Sequence, residues 1–206
     1  CCETLARNLG LRRATGDWIV SSNIDVIPPK REDLIELFST IDKDTFYTLS
    51  RRELNRKEFE KYPYDKFNEL RNYLYTTTEP REVSEKVVQG DDYSMINCCG
   101  DFQIAHRDVW QDIRGFEERL IYTLYSDTNV QKKAAMHGFG LKAIFEPPVF
   151  HISHGNLGYG GGNFIGVDNG VNRIANDPQD AITNQRKTRN SDSWGFSDLN
   201  VEYEKL

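Results

Sequence analysis

The run WIVSSNIDVIPP, residues 18–29, restricts the fold more than any other stretch of the chain. Trp18, Ile19 and Val20 are β-prone and apolar, as a buried strand requires. The apolar character then gives way to Ser21, Ser22, Asn23 and Asp25, and Pro28 and Pro29 cannot extend a hydrogen-bonded ladder. A core strand that stops in this way presents Asn-x-Asp at its carboxyl end. On its amino-terminal side, residues 3–14 place Leu5, Ala6 and Leu9 together and Arg7, Arg12 and Arg13 elsewhere, which predicts a short amphipathic helix ended by Gly16. Beyond the prolines, REDLIELFSTI sets Leu34, Ile35, Leu37, Phe38 and Ile41 at helical spacing, and TFYTLSRREL reads as the next strand. Helices alternating with strands predict an α/β fold, a mixed central sheet flanked by helices.

From residue 53 the chain turns strongly charged. NRKEFEKYPYDKFNELRNYLY can form helical turns, whereas TTTEPREVSEKVVQGDD reads as a long excursion. SMINCCGDFQIAHRDVW returns to strand and helix, with Val109, Trp110 and Ile113 on the buried face of a helix running to Gly115. A further helix starts near Ser126 or Asp127 and is capped by Gly138 or Gly140, and LKAIFEPPVFHISH supplies the last strand. The Gly- and Asn-rich tail, 155–206, has no apolar period and is expected as loops and short turns packed over a single domain spanning 1–206. Within it, GNLGYGGGNFIGVDNGVN, residues 155–172, is expected to act as a lid. Its GYGGG is no phosphate loop, because the Lys-Ser/Thr ending is missing.

A chain of 206 residues with 38% hydrophobic content suffices for one domain with its own core. Its mean hydropathy of -0.65 and the absence of a long apolar run exclude a spanning helix, so the protein is expected to be soluble or at most peripheral to a membrane. A formal net charge of -6 argues against nucleic acid as a partner, since gripping phosphate backbones draws on surplus Lys and Arg. The cysteines form two adjacent pairs, Cys1-Cys2 and Cys98-Cys99, without the gap that lets two thiolates share one zinc. They are expected to be reduced and structural, in a cytoplasmic protein. The first residues, CCETLARNLG, read as a helix already under way without a Met, so the chain is expected to continue upstream of Cys1.

Three polar clusters fall where an element ends, and in α/β sheets the carboxyl ends of strands are where ligands bind. Asn23 and Asp25 are either an Asx turn closing the strand or a pair of oxygen donors for a hard divalent cation. Asp127 is either a charge favoured by a helix amino terminus or a general base. His151 and His154 either cap a strand end or, with a bend after Ile152, bring one imidazole to the shell of a metal held by Asp25. His106 and His137 sit beside charged or helical neighbours and read as structural.

Taken in order, these pieces resemble the second half of a GT-A glycosyltransferase of the family 2 type. ARNLGLRRATGDWIVSSNID resembles the helix and strand leading into that family's metal-binding Asp-x-Asp, here Asn23-Ile24-Asp25. CCGDFQIAHRDVWQDIRGFEE resembles the segment that leads to its Gly-Phe-Asp/Glu-Glu acceptor-side turn, YSDTNVQKKAAMHGF its Glu-Asp-x-Asp-Leu helix, and EPPVFHISH the following strand with terminal histidines. The resemblance spans 4–156, and NSDSWGFSD is similar to segments of bacterial members. It departs from the pattern at Asn23, where the first Asp is usual, and at Ser126 and Asn129, where Glu and the second Asp are usual. The resemblance implies a GT-A domain whose base- and ribose-holding strands lie upstream of Cys1. It implies metal-dependent, inverting transfer of a sugar from a nucleotide-sugar donor to a hydroxyl of a glycan or lipid-linked acceptor, as in polysaccharide biosynthesis. Asp25, Asn23 and His154 would hold Mn2+ or Mg2+, Asp127 would be the catalytic base, and Gly100, Asp101, Glu117, His151 and Trp194 would contact substrates. The contrasting expectation is a module of the same fold that binds carbohydrate or protein without turnover.

Overall fold

The computed structural model describes residues 3–63, 66–77, 100–118, 126–153 and 190–200. Its sheet contains β1 (Trp18–Ser22), β2 (Val26–Ile27), β3 (Thr45–Asn55), β4 (Phe102–His106) and β5 (Gly140–Ser153). They lie in the order β1-β4-β3-β5-β2, with β3 and β5 parallel and the other neighbours antiparallel, so the sheet is mixed as the alternation of elements predicts. The helices among the described residues are α1 (Glu3–Arg13), α2 (Arg31–Thr40), α3 (Arg56–Phe59), α4 (Phe67–Thr77), α5 (Arg107–Ile113) and α6 (Ser126–Met136).

Period-two alternation divides the sheet's side chains between two faces. Phe46 and Ala105 point into a cluster with Leu11 of α1, Trp110 and Ile113 of α5, and Val130 of α6. Their neighbours Tyr47 and Ile104 point the other way, against Leu34, Leu37 and Phe38 of α2. With helices on both faces, the central strands carry apolar side chains on both, Phe46, Tyr47 and Leu49 on β3 and Phe102, Ile104 and Ala105 on β4. A third cluster joins Ile27, Leu54 and Phe150 to Leu70 and Leu74 of α4. In α2 the buried stripe is Leu34, Leu37, Phe38 and Ile41, while Ile35 is exposed.

The first helix differs from its sequence reading. Its buried positions are Thr4, Asn8 and Leu11, whereas Ala6 is exposed and Leu5 and Leu9 are half-buried. Hydrogen bonding overrides hydrophobicity here. Asn8 is 0% exposed; its Nδ2 donates to Phe116 O (2.8 Å) and its Oδ1 accepts from Phe116 N (2.7 Å), which satisfies a turn that would otherwise bury unpaired backbone. That turn follows α5 through Arg114 (φ 55) and Gly115 (φ 62). A Cβ on Gly115 would stand 2.2 Å from Asn8 Oδ1, so glycine is needed for the approach as well as for the dihedral.

Residues 190–200, the described part of the tail, form turns strapped over α1 and the turn after α5. Arg12 donates to the carbonyls of Asp192 and Trp194, Arg13 to those of Gly195, Phe196 and Leu199, and Arg114 to that of Asn190. Asn190 Nδ2 returns bonds to Arg114 O and Phe116 O. In β5 the pairing jumps from Leu49↔Ile144 to Arg51↔Val149, so residues 145–148 bulge opposite Ser50, whose hydroxyl donates to Phe145 O (2.7 Å). Pro147 and Pro148, which lack a donor, fall within that bulge. Thr76 and Thr77, expected to open the excursion over 76–92, instead close α4; the rest of that excursion, both cysteine pairs and the expected lid over 155–172 lie outside the described residues.

Replacing Asn8 by Ala leaves the buried Phe116 N–H without its acceptor. Asn8→Ala is expected to lower unfolding free energy by about 1–3 kcal/mol, read as a lower urea midpoint. Leu9→Ala, at a half-buried position, is expected to lower it by less.

Candidate functional site

Segments far apart in sequence meet where β1 ends. The pairing of Ser22 with Phe102 is continued one step beyond the strands, where Asn23 N donates to Asp101 O (2.9 Å). Residues 23–25 then carry the chain from β1, at one edge of the sheet, to β2 at the other. At the far end of this crossing Ile152 N donates to Asp25 O (2.9 Å). The short β2 was not foreseen from the sequence, because Pro28 and Pro29 allow it only the residues Val26 and Ile27.

Arg51 and Glu53 are two apart on β3 and share one face, from which they connect the two ends of the crossing. Arg51 donates to Asp101 Oδ2 (2.7 Å) and pairs with Glu53 Oε1 (2.5 Å). Glu53 Oε2 is 2.9 Å from His151 Nδ1, and His151 Nε2 is 3.3 Å from Asp25 Oδ2. On the other side Asn23 Nδ2 donates to Asp101 Oδ1 (2.7 Å), and Arg7 donates to Asn23 Oδ1, to Ser21 Oγ (2.6 Å) and to Glu3. Polar contacts thus run unbroken from Glu3 through Arg7, Asn23, Asp101, Arg51, Glu53 and His151 to Asp25. Asp101 is 4% exposed, yet its charge is met by a guanidinium and an amide. Between the anchors, Ile24 is 102% exposed.

Partial burial pushes the Glu53 carboxyl up, but the His151 hydrogen bond and the Arg51 guanidinium together outweigh it and hold the group below its ordinary 4.5. His151 is buried between two carboxylates. With one ring nitrogen beside Glu53, the other faces Asp25 Oδ2 at 3.3 Å, near enough that Nε2 and the carboxylate would share one cation. Glu53 then takes the place of the outer carboxylate that orients a ligating histidine. Asp25 and His151 therefore fit a hard divalent cation that keeps waters and takes phosphate oxygens. Asn23 is differently engaged, its amide oxygen accepting from Arg7, a neighbour that repels a cation. Among the described residues no group of three or more His, Cys, Asp or Glu side chains converges into a ready cage.

Asp127 lies in the first turn of α6, where its side chain rests against the backbone of Gly100: a Cβ there would stand 2.1 Å from Asp127 Cβ and 2.8 Å from Oδ2. Gly100 and Asp101 thus touch Asp127 on one side and Asn23 on the other. The remaining candidates are placed as follows. Trp194 packs in the core beneath the Arg12 guanidinium, 5.1 Å from its ring centre, and Glu117 is buried in the turn after α5. His154 lies outside the described residues. His106 caps α5 by accepting from Asp108 N, and His137 pairs with Asp112, which agrees with the structural reading of both. Sequence reasoning missed Arg7, Arg51 and Glu53; for Arg51 and Glu53 the signal was the charged run SRREL closing a strand.

No model of a known protein family matches the chain, and no curated protein matches it. Among the described residues no helix is long and apolar enough to cross a membrane.

Two outcomes follow from the charges. The sequence alone suggests that Asn23→Asp would suit a cation, but the geometry sets the new carboxylate against Asp101 Oδ1, 2.7 Å from the present amide nitrogen. Asn23→Asp is expected to cost about 1–3 kcal/mol of stability and to weaken Mn2+ binding, both readable by calorimetry. For Glu53, whose folded value is lowered, the stabilisation is present above 4.5 and is lost as pH falls through the lower folded value. Urea midpoints followed from neutrality to below 4.5 are expected to fall less steeply for Glu53→Gln than for the wild type.

Proposed function

We propose that this chain is a GT-A-type glycosyltransferase domain that moves a sugar from a nucleotide-sugar donor to an acceptor hydroxyl with inversion, using Mn2+ or Mg2+. Support comes from the double contact of residues 100–101, which bring the Asn23–Asp25 crossing and Asp127 to the same end of the sheet. Residues of the metal and base motifs, a hundred positions apart, become neighbours through one turn.

In this reading Asp25 and His151 hold the cation, which when bound offsets the negative charge developing on the departing diphosphate. Arg7 and Arg51 are occupied by Asn23, Asp101 and the flanking glutamates, so their part is to fix the crossing. The acceptor oxygen forms its bond to the anomeric carbon from the side opposite the diphosphate. As it does so, the bond from that carbon to the phosphate oxygen breaks, its electron pair departs with the diphosphate, and the acceptor's proton passes to a carboxylate oxygen of Asp127. Attack from the opposite side inverts the configuration. A glycan or lipid-linked acceptor and a cytoplasmic site of action complete the proposal.

Loss of the base while its size is kept separates this role from a helix-end charge. Asp127→Asn is expected to lower kcat by about 10²–10⁴-fold with nucleoside diphosphate affinity unchanged. A charge acting only on the helix dipole would instead shift stability by about 0.3–1 kcal/mol and spare turnover. Asp25→Ala is expected to abolish Mn2+-dependent binding of a nucleoside diphosphate in calorimetry. Equal affinity in Asp25→Ala and wild type would remove Asp25 from the cation site, and the absence of turnover in the wild type would favour the binding module.

A further inference from the structure

We infer that Gly100 and Gln103 are positioning residues for Asp127, an inference that rests on the reading of Asp127 as base. Four residues around the start of β4 present two devices to the start of α6. The first is the missing side chain at Gly100. Its hypothetical Cβ would lie 2.1 Å from Asp127 Cβ and 2.8 Å from both Cγ and Oδ2, distances no pair of carbon or oxygen atoms sustains. The contact spans the whole Asp127 side chain, so rotation about one bond does not relieve it; any residue but glycine displaces the carboxylate or the helix that carries it.

The second device is a hydrogen bond. Gln103 is fully buried between its pairing partners Ser21 of β1 and Thr48 of β3, and its Nε2 donates to Asp127 O (3.2 Å). A buried amide on a central strand cannot follow a moving helix, so residue 127 is tied at its carbonyl to the rigid sheet and pressed at its side chain on the turn at residue 100. The same turn continues into Asp101, which holds Asn23. The distance between the base and the cation-binding crossing is thereby fixed by two consecutive residues. Gly100 acts in this account through Asp127 rather than by contact with substrate.

The experiment is a set of variants of the intact protein, scored for turnover, for Mn2+-dependent nucleoside diphosphate affinity and for melting temperature. Gly100→Ala is expected to lower kcat by about 10²-fold, as for a reacting group misplaced by an ångström, with nucleoside diphosphate affinity within about twofold of wild type. Gln103→Met keeps the volume and removes the donor; it is expected to lower kcat less, again with affinity kept. Gly10→Ala, on an open face of α1 where a Cβ meets nothing within 4 Å, is the control and leaves turnover unchanged. The decisive arm is independent of activity. Asp127→Gly removes the atoms that clash, so Gly100→Ala is expected to lower the melting temperature in the wild-type background and to have little further effect in Asp127→Gly. Equal losses in both backgrounds overturn the contact, and unimpaired kcat in Gly100→Ala overturns the positioning role. If Asp127→Asn keeps full turnover, the base assignment fails and the positioning role with it, while the melting coupling still reports the contact; the two failures are therefore distinguishable.

Discussion

The buried carboxylate of Asp101 is the constraint on which the candidate site depends. A charge so enclosed destabilises the fold unless it is met, and it is met from two sides, by the Arg51 guanidinium and the Asn23 amide. Arg51 in turn orients Glu53, and Glu53 orients His151. The crossing at 23–25 is consequently held at both ends by groups from β3, β5 and the residue before β4, with Ile24 exposed between them. Arg51 and His151 each face two carboxylates, so a change at one contact alters the next, which makes the chain of contacts behave as a unit.

Much of the fold was legible because periodicity reports burial. The strand at 18–22, the helices ending near residues 41 and 115, and the long last strand all appear within a residue or two of their expected bounds. Prediction failed where a polar group was the buried one. In α1 the pattern of Leu5 and Leu9 pointed to the wrong face, since Asn8 satisfies the Phe116 backbone and thereby dictates which side turns inward. Hydrophobicity carries no signal for a partner a hundred residues away.

The site was legible in its ends and illegible in its middle. Asn23, Asp25, Asp127 and His151 stand out as polar residues at element termini, whereas Asp101 came only from the family resemblance; Asp101 bonds Asn23, Gly100 touches Asp127, and Arg51 and Glu53 extend the contacts to His151 and Asp25. Arg51 and Glu53 were hidden because charges near the end of a strand usually face solvent. Their role depends on β3 and β5 continuing past the end of β4, a matter of strand length and register that no local pattern encodes.

The three arginines grip the strap at 190–200 chiefly by its carbonyl oxygens, while Asn190, Glu118 and the Arg114–Asp192 pair add side-chain contacts. Arg12, Arg13 and Arg114 therefore read the path of a backbone and are blind to most of the letters written on it. Ser191, Ser193 and Leu199 are exposed and free to drift over evolutionary time without loosening the clasp, whereas Phe196 holds a positive φ of 53 that disfavours β-branched replacements. Asn190, Trp194 and Gly195, whose side chains or lack of one meet α1 and the turn after α5, are not. The clasp thus asks for a few scattered letters on the strap and three arginines far from it in sequence, and leaves the stretch between them to chance.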